Sequence, residues 1–406
     1  MVYINPPYAE ASTTRTVSGT GRNKQGVAKS KVYEKYWSSA GSALRDLFAQ
    51  FLIRIYMEIP DATIANFSTL KVLLAPYSSD FRRAFPAKLE RLFLVPARTF
   101  DNVRGEFPIG FFIWNAQKKE QFKRITANVY SEDGLLFRTK EIAAHVDAME
   151  TLNGWLSARC SRMQNAEAIG LMSFYPSDFQ NQTRFSILSA PQARYCVNIE
   201  IETLVYACVY FAVRKCIPAS WLNNQDQFFQ PNEEWIKDEK FQHDCFAYAL
   251  FHDKNNIKST DGPNHWIPFT EEEVGAQRAF ASHFMTDFMR GKCKPTQPKG
   301  QQTIIPLAEE ISLIPQSPMV FSTEAQAVFS AGRALWSYYH AQPHANPNAS
   351  YYDIREHFQG RNAKGIMNAK SDDAQYTELL AALRAAVKAL GDRIAPKVYE
   401  YGFLKH

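Results

Sequence analysis

The sequence predicts an α/β fold that begins with part of a sheet, continues as an α+β region and ends in helices. Three observations predict it. A short apolar strand at 2–4 ends in Asn-Pro-Pro-Tyr at 5–8, a helix with one apolar stripe follows before the next strand, and helical spacing dominates the last part of the chain. We expect three regions, with boundaries at 1–124, 125–291 and 292–406.

The elements of the first region follow from apolar periodicity and from the residues that end each run. Proline cannot donate to a strand ladder, so the Pro-Pro pair ends the first strand. Apolar residues at 44, 47, 48, 51, 52, 55, 56 and 59 recur at helical steps, and Pro60 ends this helix. Strands are predicted at 62–67, 88–95 and 107–114, with a helical segment at 69–74. This order predicts a parallel sheet with an antiparallel finish.

The later regions mix strands and helices. A hairpin is predicted around Asp133-Gly134, and the apolar run at 203–213 predicts a helix in the core. Thr270 and Glu273 have the spacing of a capping box, so a helix is expected from there toward Met289. The polar stretch at 292–303 predicts a linker, and the run at 373–390 predicts a helix that ends near Gly391.

Composition and charge exclude several classes of protein. Hydrophobic residues make up 46% of the 406 residues and aromatic residues 14%, so the chain is globular rather than disordered. It has no apolar run of the ~18–20 residues that cross a bilayer and no signal-peptide pattern at its start. The expectation is therefore a cytoplasmic protein that has no contact with a membrane. The six cysteines have no metal-binding or disulfide spacing, so we expect free thiols and no metal site.

The tetrapeptide Asn5-Pro6-Pro7-Tyr8 has a specific chemical interpretation. Ligands of open α/β sheets bind outside the carboxyl ends of strands, and this motif ends a strand. An exocyclic amine on a nucleobase is a poor nucleophile, because its lone pair is delocalised into the ring. The side-chain oxygen of Asn5 and the carbonyl of Pro6 could accept its hydrogens and favour a tetrahedral nitrogen, while Tyr8 could stack on a base taken out of the helix. The alternative is a rigid turn in which Tyr8 packs into the core.

These residues resemble the catalytic motif of amino-group DNA methyltransferases of the adenine-N6 type, as found in restriction–modification systems. The segments at 62–71 and 100–114 resemble the later strands of the family's class I methyltransferase sheet, and 130–406 resembles the target-recognition region and helical tail. The resemblance implies that Asn5, Pro6, Pro7 and Tyr8 are catalytic. It also implies that an aromatic residue on the last strand holds the flipped adenine, and either Phe112 or Trp114 fits, since alternation places both on one face.

The methyl donor of this family is S-adenosylmethionine, which binds at a glycine-rich turn after the first strand of the complete sheet. The glycine run at 19–26 follows no strand, and Lys24 stands where a third glycine would be needed. We therefore expect the chain to begin at the fourth strand of a seven-stranded sheet, with most of the donor site absent. It would then be truncated, or one part of a split enzyme whose separate partner chain carries the cofactor-binding half.

Double-stranded DNA is the expected substrate. The stretch at 12–35 holds six Lys and Arg against one acid, and its Arg15, Arg22 and Lys24 are predicted to contact phosphates near the target strand. The alternative for this stretch is a solvated loop. Weaker candidates are Arg82, Arg83 and Arg361. Two other functions stay open: a DNA-binding specificity module without catalysis, and an unrelated α/β protein in which the tetrapeptide is structural.

Overall fold

The computed structural model describes residues 1–6, 29–100, 103, 105–144, 151–160, 167–191, 196–295 and 312–405. These residues form a mixed α/β structure with two mixed sheets and twelve α-helices. None of the described helices combines the length and the apolarity needed to span a lipid bilayer.

The first sheet has six strands, in the spatial order β1-β2-β4-β3-β5-β6. Its strands are β1 Val2–Ile4, β2 Thr63–Thr69, β3 Ala87–Pro96, β4 Pro108–Lys119, β5 Arg124–Tyr130 and β6 Leu136–Ala143. The β1–β2 and β3–β5 pairs are parallel, whereas β4 runs antiparallel to both of its neighbours and β6 antiparallel to β5. Consequently β1, β2, β3 and β5 all end at one edge of the sheet, called the carboxyl edge below.

Helices between the strands cover one face of this sheet. They are α1 Lys31–Ala40, α2 Leu47–Glu58, α3 Lys71–Leu74 and α4 Ser79–Ala84. Residues 31–35, which the sequence assigned to a loop, instead begin α1. The hydroxyl of Ser30 caps this helix by accepting from the amide of Tyr33 at 3.1 Å, and Tyr33, Tyr36 and Ala40 bury one side of it. The strands predicted at 62–67, 88–95 and 107–114 correspond to β2, β3 and β4.

The rest of the chain forms a second unit. Its helices are α5 Leu152–Ser157, α6 Leu204–Lys215, α7 Glu239–Phe251, α8 Glu271–Val274, α9 Phe284–Met289, α10 Thr323–His340, α11 Tyr351–Gln359 and α12 Ala374–Glu400. Its sheet has the order β10-β8-β7-β9, from β7 Gly170–Ser173, β8 Ile187–Leu188, β9 Cys196–Ile199 and β10 Asn255–Asn256.

Two helices differ from their predicted extent. The capping box of Thr270 and Glu273 is present, but Gly275 in the left-handed conformation ends α8 after one turn, so the helix does not continue to Met289. In contrast, α12 continues through Gly391 to Glu400. A Cβ on Gly391 would lie 3.1 Å from a ring carbon of Tyr248, so this glycine permits close packing of α12 on α7 instead of ending the helix.

Two hydrophobic cores divide the described chain. The first contains residues from Tyr33 to Ile142 and the second residues from Leu152 to Leu404. The boundary predicted at residue 124 therefore differs from the observed division, because β5 and β6 hydrogen-bond into the first sheet. The boundary predicted near residue 292 also has no counterpart in the packing, since α10 and α12 share one core with α6 and α7.

Candidate catalytic site

The predicted catalytic motif begins at the carboxyl edge of the first sheet. β1 pairs with β2 in parallel, with Ile4 opposite Asn66, so Asn5 and Pro6 follow the strand beside the last residues of β2. Asn5 is exposed and Pro6 is buried. Asn5 is therefore a surface residue that follows a strand end, next to a buried proline, and its catalytic role stays a prediction. Pro7 and Tyr8 lie outside the described residues.

The end of β2 contributes two hydroxyl groups at this edge. Ser68 Oγ and Thr69 Oγ1 are buried and have no hydrogen-bond partner among the described residues. Burying an unpaired hydroxyl costs about 1–3 kcal/mol, and such groups in native structures are often explained by function or by water. Pairing with the start of β4 places Gly110 opposite Ser68, where a Cβ would lie 2.7 Å from the ring of Phe112. Glycine is therefore required for the packing at this position.

Aromatic side chains form a row across the sheet near the same edge. The aromatic row consists of Tyr3 on β1, Phe67 on β2, Phe111 on β4, Phe93 on β3 and Tyr130 on β5. Adjacent ring centroids are 4.8 to 6.3 Å apart, and Phe100, which follows β3, packs edge-on against Phe67 at 5.2 Å. Tyr3 is 62% exposed and the other rings are half-buried. The row therefore offers flat apolar surface beside the strand that carries Asn5.

Phe112 and Trp114 lie on the opposite face, in the core. Their rings stack at 5.7 Å and are 0% and 3% exposed. Trp114 also packs edge-on against Phe85 of the segment after α4, and its indole N–H donates to Oδ1 of the fully buried Asn66 at 3.1 Å. Neither ring can stack on an extrahelical base in this conformation. Both rings lie on one face of β4, as the alternation of side chains predicts, but helices α1 to α4 cover that face.

The basic candidates have different environments. Arg82 is buried, and its guanidinium donates to the carbonyls of Val72 and Ala75, which hold the end of α3. Burial, with a smaller effect of Arg83, lowers the pKa of Arg82 to about 10. Arg83 is exposed beside Asp80. Arg82 therefore stabilises the fold and has no access to phosphate.

The structure describes only one of the remaining basic candidates. Arg361 is exposed and bonds Glu356, the hydroxyl of Tyr352 and the carbonyl of Gly365. Arg15, Arg22 and Lys24 lie outside the described residues, as does the glycine run at 19–26.

A mostly apolar cleft of about 290 Å³ lies between α3 with the segment after it and the second unit. It is lined by Lys71 and Tyr77 from the first unit and by Asp178, Gln225 and Gln227 from the second. The amide of Leu70, directly after β2, donates to Oε1 of Gln225 at 2.8 Å, so the cleft adjoins the carboxyl edge. Burial raises the pKa of Asp178. Sequence reasoning missed this cleft, because its two sets of residues, 71–77 and 176–227, are at least 99 positions apart and meet only in the tertiary structure.

The described residues do not fit S-adenosylmethionine. The family resemblance implies a glycine-rich turn after a strand for the donor. The chain continues from β1 as Asn5-Pro6 and from β2 as Leu70-Lys71, so neither turn supplies glycine. The part of the chain that the structure describes therefore has no glycine-rich turn after β1 or β2 that could hold the donor.

Sequence reasoning also missed Phe67, Phe100 and Phe111. The only available signal was the period of two along each strand, which separates Phe111 from Phe112 without saying which face is covered by helices.

This chain was compared with models of protein families, with curated proteins and with solved structures. None of the three comparisons finds a match.

Proposed function

We propose that this chain supplies the base-binding and amine-activating half of a site-specific adenine-N6 DNA methyltransferase of the restriction–modification type. The observation that carries the proposal is the exposed Asn5 carboxamide, which follows β1 at the carboxyl edge beside the aromatic row. The parallel β1–β2 pair, followed by an antiparallel β4 between β2 and β3, agrees with the later part of the sheet that the family resemblance implies.

In this proposal Asn5 acts on the amine of the target adenine. Its side-chain oxygen accepts one amine hydrogen and the carbonyl of Pro6 accepts the other, which draws the nitrogen lone pair out of conjugation. The proline ring fixes φ, so little conformational entropy is lost when both oxygens face the amine. The proton that leaves the methylated nitrogen passes to solvent. The donor is S-adenosylmethionine, which another polypeptide holds.

The aromatic row and Phe100 replace Phe112 and Trp114 as the base-stacking surface in the proposal. A base taken out of the duplex needs a flat apolar face, and stacking contributes about 1–3 kcal/mol per base. Phe67 and Phe100 support this role because they are half-buried and edge-on at 5.2 Å, so they form a corner rather than a closed core.

The cofactor-binding half joins at β1 in this proposal, on a separate chain. β1 stands at one end of the strand order and hydrogen-bonds only β2 among the described strands, so its other edge can receive a strand. Tyr3 at that edge is 62% exposed. A strand added there would cover part of this ring and bring a donor-binding turn to the carboxyl edge.

The test is methyl transfer from labelled S-adenosylmethionine to duplex DNA, with the chain alone and with a separately expressed cofactor-binding half. We expect activity only in the mixture. Asn5→Ala should lower the rate at least about 100-fold, which is the usual cost of one lost group that stabilises developing charge. Asn5→Asp, which keeps an acceptor oxygen, should retain part of the activity. Asn115→Ala, at the opposite edge of the sheet, is the matched control and should leave the rate unchanged.

A second candidate is a DNA-binding specificity module without catalysis. It is favoured by the absence of a fitting donor site in the described residues. Sequence-specific DNA binding without methylation in any mixture would support this second function. If no duplex binds and Asn5→Ala changes nothing, both functions fail, and the motif is structural.

A further inference from the structure

A cavity of about 340 Å³ lies in the second unit, away from the candidate catalytic site. The ends of α6 and α7 and the middle of α12 surround it. Its polar lining includes Lys215, Tyr248, His252 and Arg384, and its apolar wall includes Phe251 and Val387. Sequence analysis could not predict this cavity, because its lining residues come from three helices that are far apart in the chain.

Lys215 lines this cavity at the end of α6. Its Nζ donates to the carbonyl of Gln182 and lies 3.8 Å from the ring centroid of Phe185. No carboxylate of the described residues forms an ion pair with it, whereas Arg214 and Lys254 add positive charge nearby. Burial, followed by these two cations, lowers the pKa of Lys215 to about 6. A buried amine without an anionic partner is costly, and an incoming anion would supply the missing charge.

His252 and Tyr248 add hydrogen-bond donors to the same cavity. The backbone amide of Lys254 donates to His252 Nδ1 at 3.0 Å, so the neutral ring carries its hydrogen on Nε2. Burial lowers the pKa of His252 to about 3, so the ring stays neutral at physiological pH. Neither His252 Nε2 nor the hydroxyl of Tyr248 has a protein hydrogen-bond partner among the described residues. Both groups therefore have a donor to spare for a ligand.

The carboxylates near the cavity already have partners. Asp253 accepts from the hydroxyl of Tyr351 at 2.7 Å and pairs with Arg384 at 2.8 Å and Arg355 at 3.5 Å. At the rim, Asp392 pairs with Lys388 at 2.7 Å. These pairs leave the amine of Lys215 without a carboxylate partner among the described residues.

We propose that this cavity binds a small ligand through an oxyanion group, phosphate or carboxylate, which contacts Lys215, His252 and Tyr248. The anion takes the place of the missing carboxylate beside Lys215. The body of the ligand packs between Phe251 and Val387. The proposal does not depend on methyl transfer, and none of the residues that line the cavity belongs to the first sheet.

Calorimetric titration tests the proposal, with inorganic phosphate, adenosine monophosphate and a short DNA duplex as separate probes. Lys215→Met removes the amine and keeps most of the side-chain volume, and we expect it to weaken binding of phosphate probes at least about tenfold. Tyr248→Phe removes only one hydroxyl and should weaken binding by a smaller factor. Lys237→Met, an exposed lysine that does not line the cavity, is the matched control and should bind like the unchanged protein.

The same experiment distinguishes two sources of the anion, a small molecule and a DNA phosphate. A loss confined to free phosphate and the nucleotide identifies a small-molecule site, whereas a loss confined to the duplex identifies a DNA phosphate as the anion. The proposal is overturned if the unchanged protein binds none of the three probes at millimolar concentration. It is also overturned if Lys215→Met and Tyr248→Phe bind them as tightly as the Lys237→Met control.

Discussion

Replacing Lys215 with Met should stabilise the free protein, by an amount that depends on pH. The pKa of this amine falls from 10.5 to about 6 on folding, because burial disfavours its charged form. The unfolded chain therefore binds more protons than the folded protein between these values, and the stability of the unchanged protein rises with pH across that window. Met carries no proton in either state, so the variant lacks this rise.

The magnitude follows from the two pKa values. One pKa unit corresponds to about 1.36 kcal/mol. At pH 7.0, which lies 3.5 units below the pKa of 10.5 in the unfolded chain, keeping the folded amine neutral costs the unchanged protein about 5 kcal/mol. At pH 9.5 the remaining single unit costs about 1 kcal/mol. Met loses the hydrogen bond to the Gln182 carbonyl, about 1 kcal/mol, but keeps the packing on Phe185. The expected net gain is about 4 kcal/mol at pH 7.0 and close to zero at pH 9.5.

The assay is urea unfolding of both proteins at the two pH values, with Lys237→Met as the control. Only the difference between Lys215→Met and the unchanged protein is used, since other titrating groups affect both alike. A variant that is less stable than the unchanged protein by the same amount at pH 7.0 and pH 9.5 would refute the reasoning, because the folded amine would then be charged and compensated.

Three further outcomes are expected. Lys140→Met should lower the free energy of unfolding by about 3–5 kcal/mol, because it leaves the buried carboxylate of Asp226 without its cation. Urea unfolding measures this loss, and the double variant Lys140→Met with Asp226→Leu should recover part of it. Trp114→Phe should cost about 1–3 kcal/mol by leaving the Asn66 amide oxygen unpaired, with DNA affinity unchanged in a fluorescence anisotropy titration. Tyr3→Asp should leave the melting temperature unchanged but weaken association with a cofactor-binding half in sedimentation experiments; equal association would contradict the edge proposed for β1.

The sequence determined the local elements where apolar spacing and stop residues agree. The stripe that ends at Pro60 predicted α2, and short apolar runs predicted β2, β3 and β4, with Pro96 closing β3. The tetrapeptide at 5–8 predicted a strand end at the carboxyl edge for the same reason, since proline cannot extend a ladder. The capping box at Thr270 was equally local, because its side chains bond backbone groups only three residues away.

Only the tertiary structure decided which faces and ends are buried. Period-two counting placed Phe112 and Trp114 on one face, but packing against α1 to α4 made that face the core and left Phe67 and Phe111 on the other. Glycine often ends a helix, but Gly391 lies inside α12, where it permits close contact with Tyr248. The Lys215 cavity is formed by three helices that are far apart in the sequence and meet only in the folded protein. Local patterns therefore determined where elements begin and end, whereas burial, and with it the pKa of Lys215, came from long-range packing that no short stretch encodes.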